Sequence, residues 1–561
     1  MRKTFTPEVS WQYFALNELN IPVPKTFFSE IEQTCNGIDF DFQGEFNFSS
    51  LLKQGEHLLL TGRFSVPEAG VILAGIAGDG IWRFYFNGDM ILDTRGVGNN
   101  EYPLQPDNHL FELDCVPGEN CLQLLLPANG EYMTLICKLM EPGPELAMQY
   151  GPVVSFPDSS ENAVSVIFSA TAASAAAVEY KKPDETIWQR VYDNLGGQMR
   201  HNRNMHHIRL TDLDPGCLYQ YRVVLINDRR CLAELKDEHI HTFTAPPCNG
   251  TNLEFLLTAD LQNVPMRMEF FDLLFQEKHP DIDPDFFAFA GDLYWTSNFN
   301  RSIMEEFIEP FRQKTGNKLP LVMVRGNHEI YGKESNTYFD YFTPPGEGRE
   351  GYYMFRWGEV CFFVLDFCDD DGWLPPPSTR QFHDFEPYIA AEARWLKKAV
   401  QLDMCKTAKY RIVLAHAVPV GDPESYMPGH VRQVIDPLFS GQDPAVKIHL
   451  WLGGHVHRPF RSVPFTNSCY SMVAPAALHL PHPPVGINYG FPVVITGGPL
   501  KTTGDHLQFT SISVKVTDSR ITVVSRDRFM REFDRFDILP DGSITGEKSS
   551  KEFCFYQSFC P

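Results

Sequence analysis

The chain has 561 residues, 43% of them hydrophobic and 21% charged, so it can bury several cores and is not a mainly disordered protein. Asp and Glu number 71 against 48 Lys and Arg, for a formal net charge of −23. That balance excludes duplex nucleic acid or an anionic bilayer as the bulk partner, while a small anion held through metal ions remains compatible with it.

No run approaches the roughly 18 apolar residues of a membrane span. Thr6, Pro7 and Glu8 interrupt the start where a signal peptide needs an apolar stretch, so the expectation is an unprocessed chain in the cytoplasm. The 13 cysteines are scattered from Cys35 to Cys560 with no CxxC pair, which fits reduced, mostly structural thiols better than a disulfide frame.

In chain order, HLLLTGRFSV, AGVILAGIA, GIWRFYFNGDMILD, LFELDCV and CLQLLLPA read as short strands, with Asn87-Gly88 as a hairpin turn. They predict a β-sandwich for residues 1–150. The element WRFYFNGDMILDT, with NHLFEL and GENCLQLLL after it, resembles the galactose-binding-like jelly rolls that accompany glycan enzymes, which implies a carbohydrate partner for this unit. On that reading Trp82, Tyr85 and Asn87 form a sugar-stacking face; the plainer reading makes them core aromatics and a turn residue. Residues 151–247 continue as strands at sandwich spacing, through VVSFPDS, AVSVIFSAT, AVEYKK, TIWQRVYD and HHIRLTDLDPGCLYQYRVVLIND. The run LTDLDPGCLYQYRV resembles the corner before a late strand in fibronectin type III domains.

From Leu253 strands alternate with helices. LEFLLTAD, DFFAFAGD, LPLVMVRGNHE, KYRIVLAH, VKIHLWLGGH and FPVVITGG are apolar strands. MRMEFFDLLFQEKHP, RSIMEEFIEPFRQ and EPYIAAEARWLKKAV are predicted helices, and GYYMFRWGEVCFFVLDF is a hairpin. This is an α/β pattern over residues 248–540, whose ligands belong at the carboxyl ends of the strands. Residues 541–561 are expected to be a C-terminal tail.

Those strand ends carry one kind of chemistry. They present Asp260-Leu261-Gln262, Gly291-Asp292, Gly326-Asn327-His328-Glu329, His416, and Gly454-His455-Val456-His457. The donors are carboxylates, amides and imidazoles with no thiolate, a set suited to two divalent ions such as Mn, Fe or Zn. The series D-x-Q, G-D, G-N-H-E, V-x-x-H (Val413 to His416) and G-H-x-H resembles the calcineurin-like dinuclear metallophosphoesterases. The fibronectin-like unit before it, EARWLKKAV ahead of VLAH, and ITGGP after GHVH resemble the purple acid phosphatase-type branch.

The resemblance implies an αββα-type catalytic domain after the two β-sandwiches. It implies hydrolysis of phosphate mono- or diesters by a hydroxide bound to two metal ions. Asp292 would bridge both ions, Asp260 and His457 would bind the first, and Asn327, His416 and His455 the second. His328 would be catalytic and face the leaving-group oxygen, with Glu329 beside it as an orienter. The branch takes a Tyr from G-D-x-x-Y, where this chain has Trp295, and the wider family has D-x-H where this chain has Gln262. Gln262 is expected to offer its amide oxygen to the first ion. Tyr294 is expected to point elsewhere, because one position at a strand end reverses side-chain direction.

Other residues carry weaker expectations. Arg325 can reach a phosphate or pair with an acid, and Asn263 and Tyr331 can line the cleft or bond within their loops. His479 and His482 sit in a long loop expected over the site, and Asp369, Asp370 and Asp371 form an acidic run expected in solvent. The alternative from a different class is a glycan-binding or scaffold protein whose phosphoesterase domain has degenerated. Retention of Asp292, Asn327, His328, His416, His455 and His457 speaks against it.

Overall fold

A computed structural model of the chain describes residues 2–19, 23–24, 26–96, 103–128, 134–158, 162–262, 267–275, 283–295, 303–344, 350–366, 385–419, 438–439, 446–466, 468–472, 489–498 and 509–556. Asn263, Asp369, Asp370, Asp371, His479 and His482 lie outside the described residues.

The N-terminal unit is a two-sheet sandwich. One sheet runs in the order Ile38–Phe40, Ser10–Leu16, His57–Val66, Gly118–Leu126, Arg83–Phe86, Asp89–Asp93; the other runs Glu45–Asn47, Thr134–Met140, Gly70–Gly78, His109–Cys115. Asn87 and Gly88 turn the Arg83–Phe86 hairpin at φ 49° and 82°, the left-handed backbone that two-residue hairpins require. The Asn87 side chain also accepts from Cys121 N at 2.8 Å. Trp82 is fully buried and Tyr85 nearly so, which leaves neither ring a face for stacking a sugar. The strand Ser10–Leu16 and the helix Phe27–Thr34 were not among the predicted elements.

The middle unit is built on one 19-residue strand, Ala163–Lys181, which pairs with Met148–Asp158 and Arg203–Leu210 in its first half and with Gln189–Tyr192 and Leu218–Asn227 in its second. Its alanine-rich stretch would prefer a helix in isolation, and burial between neighbouring strands overrides that preference. The fibronectin-like corner is present: the Tyr219 hydroxyl accepts from the backbone N–H of Asp214 at 2.8 Å. Ser155 pairs in parallel with Leu321, so this unit shares a sheet with the next.

The C-terminal unit has two facing sheets. The first places Leu321–Val324, Phe286–Ala290 and Leu253–Thr258 in parallel, then adds Ser511–Val516, Ile521–Arg526, Glu532–Ile538 and Ile544–Ser549 antiparallel. The second runs Tyr353–Trp357, Val360–Leu365, Tyr410–Ala415, Leu450–Gly453, Val493–Ile495, Phe460–Ser462, Cys469–Ser471, Cys554–Tyr556. Alternation explains why its central strands are apolar throughout: Phe362, Ile412 and Leu452 enter the core between the sheets, while Phe363, Val413 and Trp451 enter an outer core. The helix Phe385–Ala399 covers that outer core through Ile389 and Leu396. Helices Arg267–Leu274 and Glu309–Thr315 cover the first sheet. The helix predicted across RSIMEEFIEPFRQ is described from Ile303 and starts as a wider π turn over Met304–Ile308. Pro310, which has no N–H to donate, sits in the first turn of the regular helix Glu309–Thr315, where Pro is tolerated.

The expected tail from 541 is a correction. Strand Ile544–Ser549 returns on Glu532–Ile538 across a turn at Gly542 (φ 84°), and Cys554–Tyr556 pairs with Cys469–Ser471. The segment thus belongs to both sheets. Arg461 ties the same region together from within: its guanidinium bonds Asp534 at 2.7 and 3.2 Å and Glu547 at 2.9 Å, and lies 4.1 Å over Tyr470. Among the described residues no helix is long and apolar enough to cross a membrane.

His449 makes the stability of this unit depend on pH. Its Nδ1 accepts from Arg411 N at 3.1 Å and its Nε2 donates to the Pro540 carbonyl at 3.1 Å, a pairing only the neutral ring satisfies. Burial holds its pKa down to about 4, despite the Pro540 carbonyl. The folded pKa lies below the unfolded one, so the stabilisation is complete above about pH 6.5 and is lost as pH falls toward 4; the linkage amounts to roughly 3 kcal/mol. Urea unfolding at pH 7 and pH 4.5 is expected to show His449→Gln closing most of its stability deficit at the lower pH. A deficit that is constant with pH would rule this out.

Candidate metal centre

The carboxyl ends of the parallel strands meet along one edge, and seven side chains predicted from the sequence converge there. Asp260 and Gln262 follow strand Leu253–Thr258, Asp292 follows Phe286–Ala290, and Asn327 follows Leu321–Val324. His416 follows Tyr410–Ala415, and His455 and His457 follow Leu450–Gly453. Asp260, Gln262, Asp292, Asn327 and His416 are all buried.

Five of them sit on strained backbone: Asp260, Gln262, Asp292, His455 and His457 have φ of 56°, 40°, 61°, 72° and 57°. Non-glycine residues in this region each cost of order 1–3 kcal/mol, which persists where the surrounding structure and a site's geometry require it. The bonds that hold these turns are local to the site: Asp260 N donates to Gly291 O at 2.9 Å and Gln262 N to Asp292 O at 3.0 Å. His455 N donates to both Asp260 oxygens, at 3.0 and 3.1 Å. Close approach also demands glycine. A Cβ on Gly326 would lie 2.3 Å from Asp292 Oδ1, and one on Gly291 would lie 2.5 Å from His416 Nδ1.

Two donor groups share one carboxylate. Asp292, His416 and His455 form one set and Asp260, Asp292 and His457 the other, with the ligand atoms of each within 4.8 Å of one another. The His416 Nδ1–H donates to the Ala290 carbonyl at 2.7 Å, which turns Nε2 toward Asn327 Oδ1 at 3.0 Å and Asp292 Oδ1 at 3.2 Å. His455 Nδ1 stands 2.9 Å from the same Asn327 oxygen. On the other side, His457 Nε2 is 3.2 Å from Asp260 Oδ1 and 3.4 Å from the Gln262 side-chain amide.

These atoms suit a cation. An amide oxygen and a carboxylate only accept, and His416 has committed its Nδ1–H to Ala290, so its Nε2 lone pair facing Asn327 Oδ1 and Asp292 Oδ1 calls for positive charge between the groups. A proton supplies it in the protein alone: burial lowers the His416 pKa, but Asp292 outweighs it and pushes the pKa up to about 10. Burial would raise the Asp292 carboxyl, yet His416 and His328 hold it well below the usual carboxylate range. Burial lowers His457 and Asp260 raises it, with a net upward shift. The donor set of oxygens and imidazoles fits divalent ions of the borderline-to-hard kind.

His328 stands beside these groups. Its Nδ1–H donates to the Trp295 carbonyl at 2.7 Å, and its Nε2 lies 3.7 Å from Asp292 Oδ2. Tyr294 is buried in the core, as expected for a side chain one position off the metal motif. Arg325 takes the pairing alternative: it bonds Asp366 at 2.7 and 3.1 Å, and Asp366 also accepts from Tyr388 at 2.5 Å. Asp366 itself was overlooked, although an acid closing the apolar strand Val360–Leu365 is the same signal that marked the other strand ends.

Glu329 proves to be a loop clamp. Its buried carboxylate accepts from Asp292 N at 2.9 Å, Leu293 N at 2.7 Å and Gly326 N at 2.6 Å, joining the two loops that carry Asp292 and Asn327. Burial and then Asp292 push its pKa up to about 7, against the pull of those N–H groups. Glu329→Gln leaves one acceptor oxygen for three donors. It is expected to cost about 1–3 kcal/mol of metal-free stability and roughly 10–100-fold in metal affinity, read by urea unfolding and by metal titration. Unchanged values in both would refute the clamp.

Residues 253–459, which hold all seven side chains, match the family described as calcineurin-like phosphoesterase. No curated protein matches the chain. Among solved structures it is similar to a purple acid phosphatase, PPD1, isolated from yellow lupin (Lupinus luteus) seeds, at 15% identity and a TM-score of 0.50, covering 86% of this chain and 93% of that one. It is also similar to GAP50, the anchor in the inner membrane complex of Plasmodium, at 11% identity and a TM-score of 0.34, covering 54% and 90% of the two chains. The first likeness shows the fold, a β-sandwich region followed by a metallophosphoesterase domain.

Proposed function

We propose that the calcineurin-like phosphoesterase domain of this chain hydrolyses phosphate mono- or diesters with two divalent metal ions. The observation that carries the reading is the pair of three-ligand groups sharing Asp292. Asp260, Gln262, Asp292 and His457 would hold one ion, and Asp292, Asn327, His416 and His455 the other. Mn, Fe and Zn all suit these donors. Such ions, when bound, neutralise phosphoryl oxygens and acidify a water.

The chain's own residues supply the rest. Asp292 carries charge to both groups, and Glu329 keeps its loop in register with that of Asn327. The Trp295 carbonyl fixes the His328 tautomer, so Nε2 is the nitrogen that can carry a proton to a departing oxygen. Asn327 offers a neutral oxygen, which ligates without adding to the charge that repels a phosphate. A net charge of −23 is no obstacle, because the field at the site is set by the bound cations.

Purified protein loaded with Mn2+ or Zn2+ should hydrolyse p-nitrophenyl phosphate, its bis-ester, or both, and should bind two ions per chain. No turnover of either ester together with less than one ion per chain would overturn the reading in favour of a scaffold with a degenerate domain.

A further inference from the structure

Trp295 is a large aromatic residue left 47% exposed, three positions after Asp292. Its ring stands against the His328 imidazole with centroids 5.2 Å apart and planes at 80°. Tyr331 meets the same imidazole at 5.4 Å and 76°. The Trp295 backbone meanwhile engages His328 Nδ1, so the nitrogen left for the leaving group is bordered by aromatic surface. Indole offers no metal ligand here, and its exposed face gains most from a flat apolar partner.

We propose that Trp295 and Tyr331 form a leaving-group subsite that selects phosphate esters of flat aromatic alcohols over alkyl esters. The proposal rests on the phosphoesterase reading, with His328 on the leaving-group side. A ring bonded directly to the ester oxygen arrives beside His328, within reach of both aromatic side chains. An alkyl group there finds the same apolar area but not the ring-on-ring geometry, and two such contacts amount to roughly 10-fold in discrimination.

The test compares kcat/KM for phenyl phosphate and methyl phosphate in the metal-loaded full chain, so that intrinsic reactivity cancels between variants. Trp295→Ala is expected to lower the phenyl-to-methyl ratio about 10-fold, and Trp295→Phe to keep most of it. Calorimetric titration with phenylphosphonate and methylphosphonate gives a readout free of turnover: only the phenyl compound should weaken about 10-fold in Trp295→Ala. Circular dichroism checks that each variant folds, and Trp295→Phe carries the comparison if the alanine variant does not. In that case the phenylalanine variant must hold at least half the wild-type ratio, and a collapse to parity overturns the proposal. Turnover of both esters with a ratio unchanged in Trp295→Ala overturns the subsite and leaves the phosphoesterase reading standing. Failure of the wild type on phenyl and methyl phosphate, with p-nitrophenyl phosphate or its bis-ester still turned over, overturns the subsite alone; failure on all four with less than one ion bound per chain overturns both.

Discussion

Asp292→Asn is expected to lower kcat/KM for p-nitrophenyl phosphate at least about 1,000-fold and to leave fewer than two metal ions per chain. The magnitude corresponds to roughly 4 kcal/mol, the scale of the charge stabilisation that metal ions give a phosphoryl transfer. Asp292 is the one residue common to both donor groups, so its charge is the one whose loss weakens both at once. The substitution also disturbs the local bonding. Asp292 Oδ1 accepts from His328 N at 3.0 Å and faces His416 Nε2 at 3.2 Å, and an amide can present its oxygen to only part of that surrounding. Elemental analysis after dialysis, together with steady-state kinetics, checks both halves. Wild-type metal content with wild-type activity would remove Asp292 from the centre of the site.

The convergence of these residues was legible for a simple reason. A parallel strand buried on both faces is an apolar run with no polar residue until it stops, so FFAFA-GD, RIVLA-H and LWLG-GH each mark the point where a chain leaves the sheet. Parallel neighbours stop at the same edge, and a list of strand ends is therefore already a list of neighbours. The limits of the reading are equally physical. Glu329 was visible only as the residue after His328, because its three backbone donors come from loops brought together by the sheet. The sharing of a sheet by the middle and catalytic units rests on one bridge, Ser155 with Leu321, that no local pattern encodes. The strands at Ser511–Val516, Ile521–Arg526 and Glu532–Ile538 do alternate, and the hairpin turn at Pro540-Asp541-Gly542 announces the strand after it. That pattern continues the meander through Ile544–Ser549, so the segment after 541 is a strand rather than a tail. Gln262 marks another boundary: the amide type made it a candidate, but only the structure shows its left-handed backbone and its burial beside His457.

His328→Ala is expected to behave differently from Asp292→Asn, and the contrast separates proton delivery from metal binding. His328 Nδ1 is committed to the Trp295 carbonyl and its Nε2 stands 3.7 Å from Asp292, nearer the rim than His416, which is almost fully buried. A residue in that position can assist a departing alkoxide without holding an ion. Its removal is expected to lower kcat by about 100- to 10,000-fold for alkyl esters, the range for loss of a positioned general acid. The loss should be smaller for p-nitrophenyl phosphate, whose leaving group departs readily without a proton. Metal content should stay at the wild-type value, and the limb of the pH–rate profile that reports the acid should disappear. Equal losses for good and poor leaving groups would show that His328 stabilises charge on the phosphoryl oxygens instead. Loss of bound metal would make it a ligand, and the two donor groups that share Asp292 would then have to be redrawn around it.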